Sequence, residues 1–317
     1  MNSPSSSLVS VIIPCYNYGR FLPETIASLQ RQSHSHWECI VVDDGSKDAT
    51  RQVCADLIAQ DPRVRYIYQL NGGLSNARNT GLKAAKGSYV QLLDADDLLG
   101  QHKIEKNIAL LESQPDIDIV YGKVRYFRHG EESLFSCSID MLDRPWMPCI
   151  SGKGTELLRE LLRENIMVVN APMLRRCLML EVGEFDESLS ACEDWDYWIR
   201  CAVAGANFHY DNADDAAALV RVHAMSMVNE DSRMRQARVA LRLKASNLAA
   251  VARDSDIRAI NTHNLLTLIS QDDFQHLYQG KVLLGLKGVL LKMMRCKNYK
   301  FFVFNGLYWL SKRFRND

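Results

Sequence analysis

Residues 9–48 read VSVIIPCYNYGRFLPETIASLQRQSHSHWECIVVDDGSKD, and their order decides the fold. The β-branched run 9–13 stops at Pro14 and reads as a buried strand. Phe21, Leu22, Ile26 and Leu29 then recur at helical spacing over residues 21–32. A second apolar run, 38–42, closes on Asp43-Asp44-Gly45-Ser46. Strand, helix and strand in that order form a crossover, and crossovers join parallel strands.

Outward from this unit the pattern repeats. A second helix is predicted over 48–59 and a third strand over 64–68, followed by the Asn71-Gly72-Gly73 turn. A third helix follows over 74–85, with Gly87 as its stop. A fourth strand, 88–93, runs straight into Asp94-Ala95-Asp96-Asp97. The order predicts an α/β fold, a Rossmann-like, mostly parallel sheet with flanking helices. In such sheets ligands sit beyond the carboxyl ends of the strands. Residues 14–18, 43–48 and 94–97 all fall at such ends, so three polar loops converge on one crevice. Further on the pattern is less regular, with a strand at 118–127 and a helix at 154–165. A helix at 193–204 carries Trp195, Trp198, Ile199 and Ala202 on one apolar face, which reads as core. From residue 231 the chain reads as mainly helical. The expected division is an α/β part, 1–228, falling into halves at 8–98 and 99–228, and a helical C-terminal region, 229–317.

Composition narrows the function classes. Of 317 residues, 47% are hydrophobic and 24% charged, enough for an ordinary core. A formal net charge of zero provides no electrostatic footprint for nucleic acid. The nine cysteines are scattered, with no C-x-x-C pair, which argues against a disulfide framework or zinc site. Reduced thiols and a cytoplasmic location are the expectation. The Ser-rich start lacks the basic and apolar parts of a secretory signal. No run approaches the roughly 20 apolar residues of a membrane-spanning helix. The tail 281–317 is different, with nine basic residues against Asp317 alone, interleaved with leucines and aromatics. That composition suits an anionic membrane surface, and peripheral attachment at the cytoplasmic face is expected.

The acids carry most of the chemistry. In an extended segment, alternation puts Asp94 and Asp96 on the same side. Carboxylates so close need a cation or a proton, and oxygen ligands suit Mg²⁺ or Mn²⁺. The alternative is a solvated acidic turn with Asp97 capping the next helix; the strand-end position favours the metal. Asp43 suits hydrogen bonds from a nucleobase or ribose and the chemistry of a turn equally, whereas at Asp44 the functional reading is favoured over the turn. Arg78 offers a planar donor fork to a base or phosphate, against the bland reading of a surface arginine. Asp194 suits a general base, while Glu193 is adequately explained as an acid at a helix N-terminus. His223 suits contact with a metal or pyrophosphate, although a lone histidine is more often structural. His34 and His36 have no partner motif.

Together these pieces resemble the family 2 glycosyltransferases, which have the GT-A fold. The matching text is VSVIIPCYNYGRFLPETIASLQRQ, ECIVVDDGSKDAT and NGGLSNARNTGLKAAKGSYVQLLDADD, which together fill most of 9–97, with the shorter EDWDYWIR and RVHAMS beyond. The resemblance implies an inverting transfer of a sugar from a nucleotide-diphosphate donor to a hydroxyl acceptor. The acceptor class it implies is a saccharide or lipid-linked saccharide, in cell-surface polysaccharide or glycolipid synthesis. It implies donor contacts at Pro14, Tyr16, Asn17, Asp43, Asp44, Arg78, Asp94, Ala95 and Asp96. It implies a divalent metal, Mn²⁺ or Mg²⁺, held chiefly by Asp96 with Asp94 and His223. Asp194 takes the place of the catalytic base. A sugar-nucleotide nucleotidyltransferase is the competing enzyme reading, but the loop PCYNYGR is a poor match to its glycine-rich triphosphate loop. A non-catalytic sugar-binding scaffold is the third reading.

Overall fold

The computed structural model describes residues 7–131, 134–223, 231–279, 282–296, 298, 301–303 and 305–306. The first stretch alternates β1 Val9–Cys15, α1 Leu22–Gln30, β2 Trp37–Asp44, α2 Thr50–Gln60, β3 Val64–Gln69, α3 Leu74–Ala84 and β4 Tyr89–Leu92. Then come β5 Leu98–Leu99, α4 Lys103–Ser113, β6 Ile119–Gly122, β7 Val124–Arg128, α5 Gly154–Arg163 and β8 Pro172–Arg175. Helices α6 Arg176–Val182 and α7 Glu193–Val203 precede β9 Phe208–Asp211 and β10 Ala218–Val222.

The main sheet has seven strands in the order β3-β2-β1-β4-β8-β6-β9. All its pairings are parallel except those of β8, which runs antiparallel to both β4 and β6. Every residue of β1 and β2 is buried, which explains their unbroken apolar runs. Full burial of Ile12, Ile13, Val41 and Val42 stabilises by about 1.5–3 kcal/mol per side chain. Helix α3 packs on β1 and β2. A Cβ on Gly81 would lie 2.3 Å from the Ile12 side chain, so only glycine lets this helix approach so closely.

Two expectations need correction. The first strand does not stop at Pro14; β1 continues to Cys15, with Pro14 aligned to Val42 of β2. Its pairing to β4 has already ended at Ile12, so the missing N–H interrupts no ladder on that side. The single strand expected at 118–127 is two strands in different sheets. After Gly122 the chain leaves the main sheet, and β7 joins a three-stranded sheet ordered β5-β10-β7.

The chain divides into two compact units, Met1–Asp231 and Ser232–Asp317. The second contains α8 Asp231–Ser246, α9 Ala249–Arg253, α10 Ser255–Tyr278 and α11 Val282–Cys296. Its core includes Leu266, Val289, Phe301 and Phe302. Asn261 of α10 donates to the Arg242 carbonyl at 3.0 Å and to Ser246 Oγ at 2.9 Å, tying α10 to α8. Along α11, Leu283, Leu284, Leu290, Leu291 and Met294 are exposed, as is Lys287. Apart from Lys287 and Lys292, the basic side chains expected to make the tail a membrane contact lie outside the described residues. No described helix is long and apolar enough to cross a membrane.

Candidate active site

The ends of β1, β2 and β3 build one cradle. Asn17 follows β1 with φ 58°, a left-handed conformation that its short polar side chain tolerates. Its N–H donates to Ser46 Oγ at 2.9 Å, and its Oδ1 accepts the Lys47 N–H at 2.8 Å. These bonds lock the loop after β1 to the loop after β2. Pro14 is buried, while Tyr16 is exposed at the rim. Asp43 accepts the Ser46 N–H at 2.8 Å and the Tyr66 hydroxyl at 2.7 Å. Asp44 accepts the Gly72 N–H at 2.8 Å, the Gly73 N–H at 2.9 Å and the Gln69 amide at 2.7 Å. A carboxylate has about four lone-pair positions, so Asp44 retains room for one further donor.

After β4 the chain turns instead of extending. The Asp97 N–H donates to the Asp94 carbonyl at 3.1 Å, closing a four-residue turn. The extended segment expected for Asp94 to Asp96 is therefore a turn, and the two acids take different partners. Asp94 Oδ1 accepts from Arg78 Nη2 at 3.0 Å, whereas Asp96 Oδ2 lies 2.8 Å from His223 Nε2. Ala95 is buried, and its carbonyl accepts the Thr25 hydroxyl at 2.8 Å. Asp97 does not cap the following helix; it accepts the Arg221 N–H at 2.7 Å and the Asn170 side-chain amide. Burial raises the pKa of Asp96, with Asp94 adding to it and His223 opposing. Burial drives Asp97 well above the ordinary carboxylate range, with Asp96 and Asp94 adding to it.

The buried guanidinium of Arg221 braces the turn from beneath. It pairs with Glu24 at 2.6 Å and donates through Nε to the Asp96 carbonyl at 2.8 Å. It also lies 4.7 Å from the Phe127 ring centroid and 5.2 Å from that of Phe21. His223 stacks on Phe21, with centroids 5.3 Å apart.

Helix α7 starts after Cys192, whose φ is 60°, and places Glu193 and Asp194 in its first turn. Asp194 accepts the Trp195 N–H at 2.7 Å and the Asn165 amide at 3.3 Å. The residue keeps some access to solvent, yet burial of the carboxyl lifts its pKa to about 7, with Glu193 adding and Arg78 opposing. Such a value suits a general base near neutral pH. Arg78 of α3 is buried and bridges Glu193 and Asp94. Burial opposes its charge, but Asp94 and Glu193 more than offset that and hold it protonated. Arg78 is thus no surface arginine; its fork is already engaged by two carboxylates.

Strands β2, β1 and β4 are adjacent and parallel, so the cradle and the acidic turn lie side by side. Among the described residues, no three His, Cys, Asp or Glu side chains converge as metal ligands. Of the expected set Asp94, Asp96 and His223, the last two pair and Asp94 is committed to Arg78. A carboxylate paired with an imidazole, beside an excess of carboxylates, is a donor set that fits Mn²⁺ or Mg²⁺. Sequence reasoning missed Glu193 as the partner of Arg78, and missed Arg221 and Asn170 entirely. The RVHAMS segment did hold a signal for Arg221, two positions before His223.

A sequence profile described as "Glycosyl transferase family 2" matches residues 10–160. RP339 of Rickettsia prowazekii, described as an uncharacterized glycosyltransferase, is 30% identical over 231 residues, covering 71% of this chain and 67% of its own. Two other curated glycosyltransferases, from Streptococcus pneumoniae and Bacillus subtilis, are 37% and 44% identical over shorter stretches; these span 41% and 33% of their lengths. Among solved structures, S. aureus TarS 1-349 in complex with UDP-GlcNAc aligns with a TM-score of 0.67 at 16% identity, covering 96% of this chain and 92% of that one. The mannosyltransferase PcManGT from Pyrobaculum calidifontis, in complex with GDP-Man and Mn2+, aligns with a TM-score of 0.60 at 16% identity, covering 98% and 86%. The sheet with its flanking helices is the GT-A fold of these neighbours.

Proposed function

The chain belongs to glycosyltransferase family 2, and from that premise we propose that it transfers a sugar, with inversion, from a nucleotide diphosphate to a hydroxyl acceptor. One observation carries the reading. The buried Arg78 links the acidic turn after β4, through Asp94, to Glu193, the immediate neighbour of Asp194. That bridge supports a reading in which donor side and base belong to one network.

In this reading residues 8–98 form the nucleotide half, 99–228 the acceptor half and 229–317 a separate helical region. The cradle of Pro14, Tyr16, Asn17, Asp43 and Asp44 receives the nucleoside. Arg78, Asp94 and the backbone at Ala95 shape the diphosphate side. Asp96 and His223, with Asp94 nearby, would hold a divalent ion; when bound it neutralises charge on the departing diphosphate. Asp194, ionised above about pH 7, removes the proton from the acceptor hydroxyl. The oxygen then attacks the anomeric carbon from the face opposite the leaving group. The solved neighbours bound to UDP-GlcNAc and to GDP-Man with Mn2+ support the donor class and the ion.

The test is calorimetric titration with a panel of nucleotide-sugars, with and without Mn²⁺. Wild type should bind a member of the panel more tightly with Mn²⁺, and Asp96→Ala should lose that gain. Equal affinity with and without the ion in both proteins would defeat the assignment.

The acceptor in this reading is a saccharide or a lipid-linked saccharide, met at the cytoplasmic face of a membrane. Support comes from the basic composition of 281–317 and from the exposed leucines and Lys287 on α11. Co-sedimentation with anionic liposomes should fall in the full-length double variant Lys287→Glu with Lys292→Glu. Unchanged sedimentation would remove the membrane from the proposal.

A further inference from the structure

Two asparagines of one short segment touch the two groups of acids that the proposed reaction needs. Residues 164–171 join α5 to β8 without helix or strand of their own. Ile166 and Met167 are fully buried and pin the segment to the core. Near one end, Asn165 Nδ2 donates to Asp194 Oδ2 at 3.3 Å. Near the other, the buried Asn170 makes two side-chain bonds to the turn after β4. Its Oδ1 accepts the Asp94 N–H at 2.9 Å, and its Nδ2 donates to Asp97 Oδ2.

The backbone there is anchored as well. The Asn170 carbonyl accepts the Gln91 amide at 3.0 Å, and the Ala171 carbonyl accepts Lys103 Nζ at 2.6 Å. Gln91 and Lys103 are both fully buried, so this side of the brace does not move with solvent.

We infer that Asn170 is the positioning residue of the Asp94–Asp97 turn, and through it of Asp96; the catalytic meaning rests on the reading proposed above. Three acids in four residues repel one another, and a turn so charged opens unless its ends are held. A primary amide is the side chain that does this, because it accepts at one atom and donates at another. An aspartate at this position would face Asp97 with a second carboxylate. An apolar side chain would leave the Asp94 N–H and an Asp97 oxygen buried without partners, which is costly. Groups that orient ligating carboxylates act on metal affinity without touching the ion.

The test exchanges the two side chains. Asn170→Asp sets carboxylate against carboxylate. In the double variant, Asp97→Asn with Asn170→Asp, every bond returns, and only the one between 97 and 170 has its donor and acceptor exchanged. The new amide at 97 still accepts the Arg221 N–H and donates to the new carboxylate at 170. That carboxylate in turn accepts the Asp94 N–H. Asn170→Asp should raise the Mn²⁺ concentration for half-maximal donor hydrolysis by about 10–100-fold, and speed hydrogen exchange at the Asp94 amide. The double variant should return both to near the wild-type values. Wild-type values in Asn170→Asp would overturn the inference. So would a double variant that regains thermal stability but not the Mn²⁺ requirement. If Asn170→Asp does not fold, Asn170→Ser, which cannot bridge both partners, takes its place with the same expectation. The exchange measurement needs no substrate. A wild type that turns over no nucleotide-sugar would sink the proposed function, while Asp94 exchange alone still decides the role of Asn170.

Discussion

Two groups of acids stand at the carboxyl edge of the same sheet and are built in opposite ways. After β2, Asp43 and Asp44 accept five hydrogen bonds from Ser46, Tyr66, Gly72, Gly73 and Gln69. After β4 and at the start of α7 stand five carboxylates, of which Asp94, Glu193 and Asp96 pair with Arg78 or His223, and burial raises Asp96, Asp97 and Asp194. The first group uses its lone pairs to hold loops in shape. The second has negative charge left to offer a cation or a proton. A pair of adjacent aspartates in a sequence therefore says little until its donors are counted.

The comparison breaks hardest at Arg78. Arg78→Met leaves Glu193 and Asp94 without their shared cation, and breaking a buried pair this way costs about 3–5 kcal/mol. Urea unfolding measures it, and a cost near zero would mean that the bridge does not hold the acids together. The satisfied group should respond less. Asp44→Asn turns an NH₂ group toward backbone N–H donors, at a cost of about 1–3 kcal/mol in the same assay. A larger loss than at Arg78 would reverse the contrast between the groups.

A further effect is set by pH. The pKa of Asp194 is raised in the folded chain from 3.8 to about 7, so its ionisation opposes folding. The stability from its neutral form is fully present below pH 4 and is lost as pH rises toward 7. Activity runs the other way, because a base acts only when ionised. The rate of donor hydrolysis should fall about tenfold per pH unit below 7 and level off above it. A flat profile from pH 5 to 8 would show that no group of this kind controls the rate.

How much of this was legible in the sequence follows from distance along the chain. Strands β1 to β4 and their helices are local patterns, and the apolar runs 9–13, 38–42 and 64–68 mark three of those strands to within two residues at either end. The later strands are two to five residues long, too short for periodicity, and β8 runs against its neighbours. The break at Gly122 is marked only by Gly122 and Lys123, too short a signal to split one strand into two. In the site, Asp94, Asp96, Arg78, Asp194 and His223 stood out through motifs. Their partners did not, because Asn170, Glu193 and Arg221 bond across 76, 115 and 124 residues. Pairs so remote leave no spacing to read, and the segment at Asp94 to Asp97 is a turn, not extended, because one i to i+3 bond closes it.

In the proposed transfer Asp194 is the base, and the donor site lies beside it. Rapid-quench measurement of nucleoside diphosphate release, paired with donor titration, tests it most directly in Asp194→Asn. The expected rate is lower by about 10²–10⁴-fold, with donor affinity unchanged. A rate equal to wild type in that variant would contradict it.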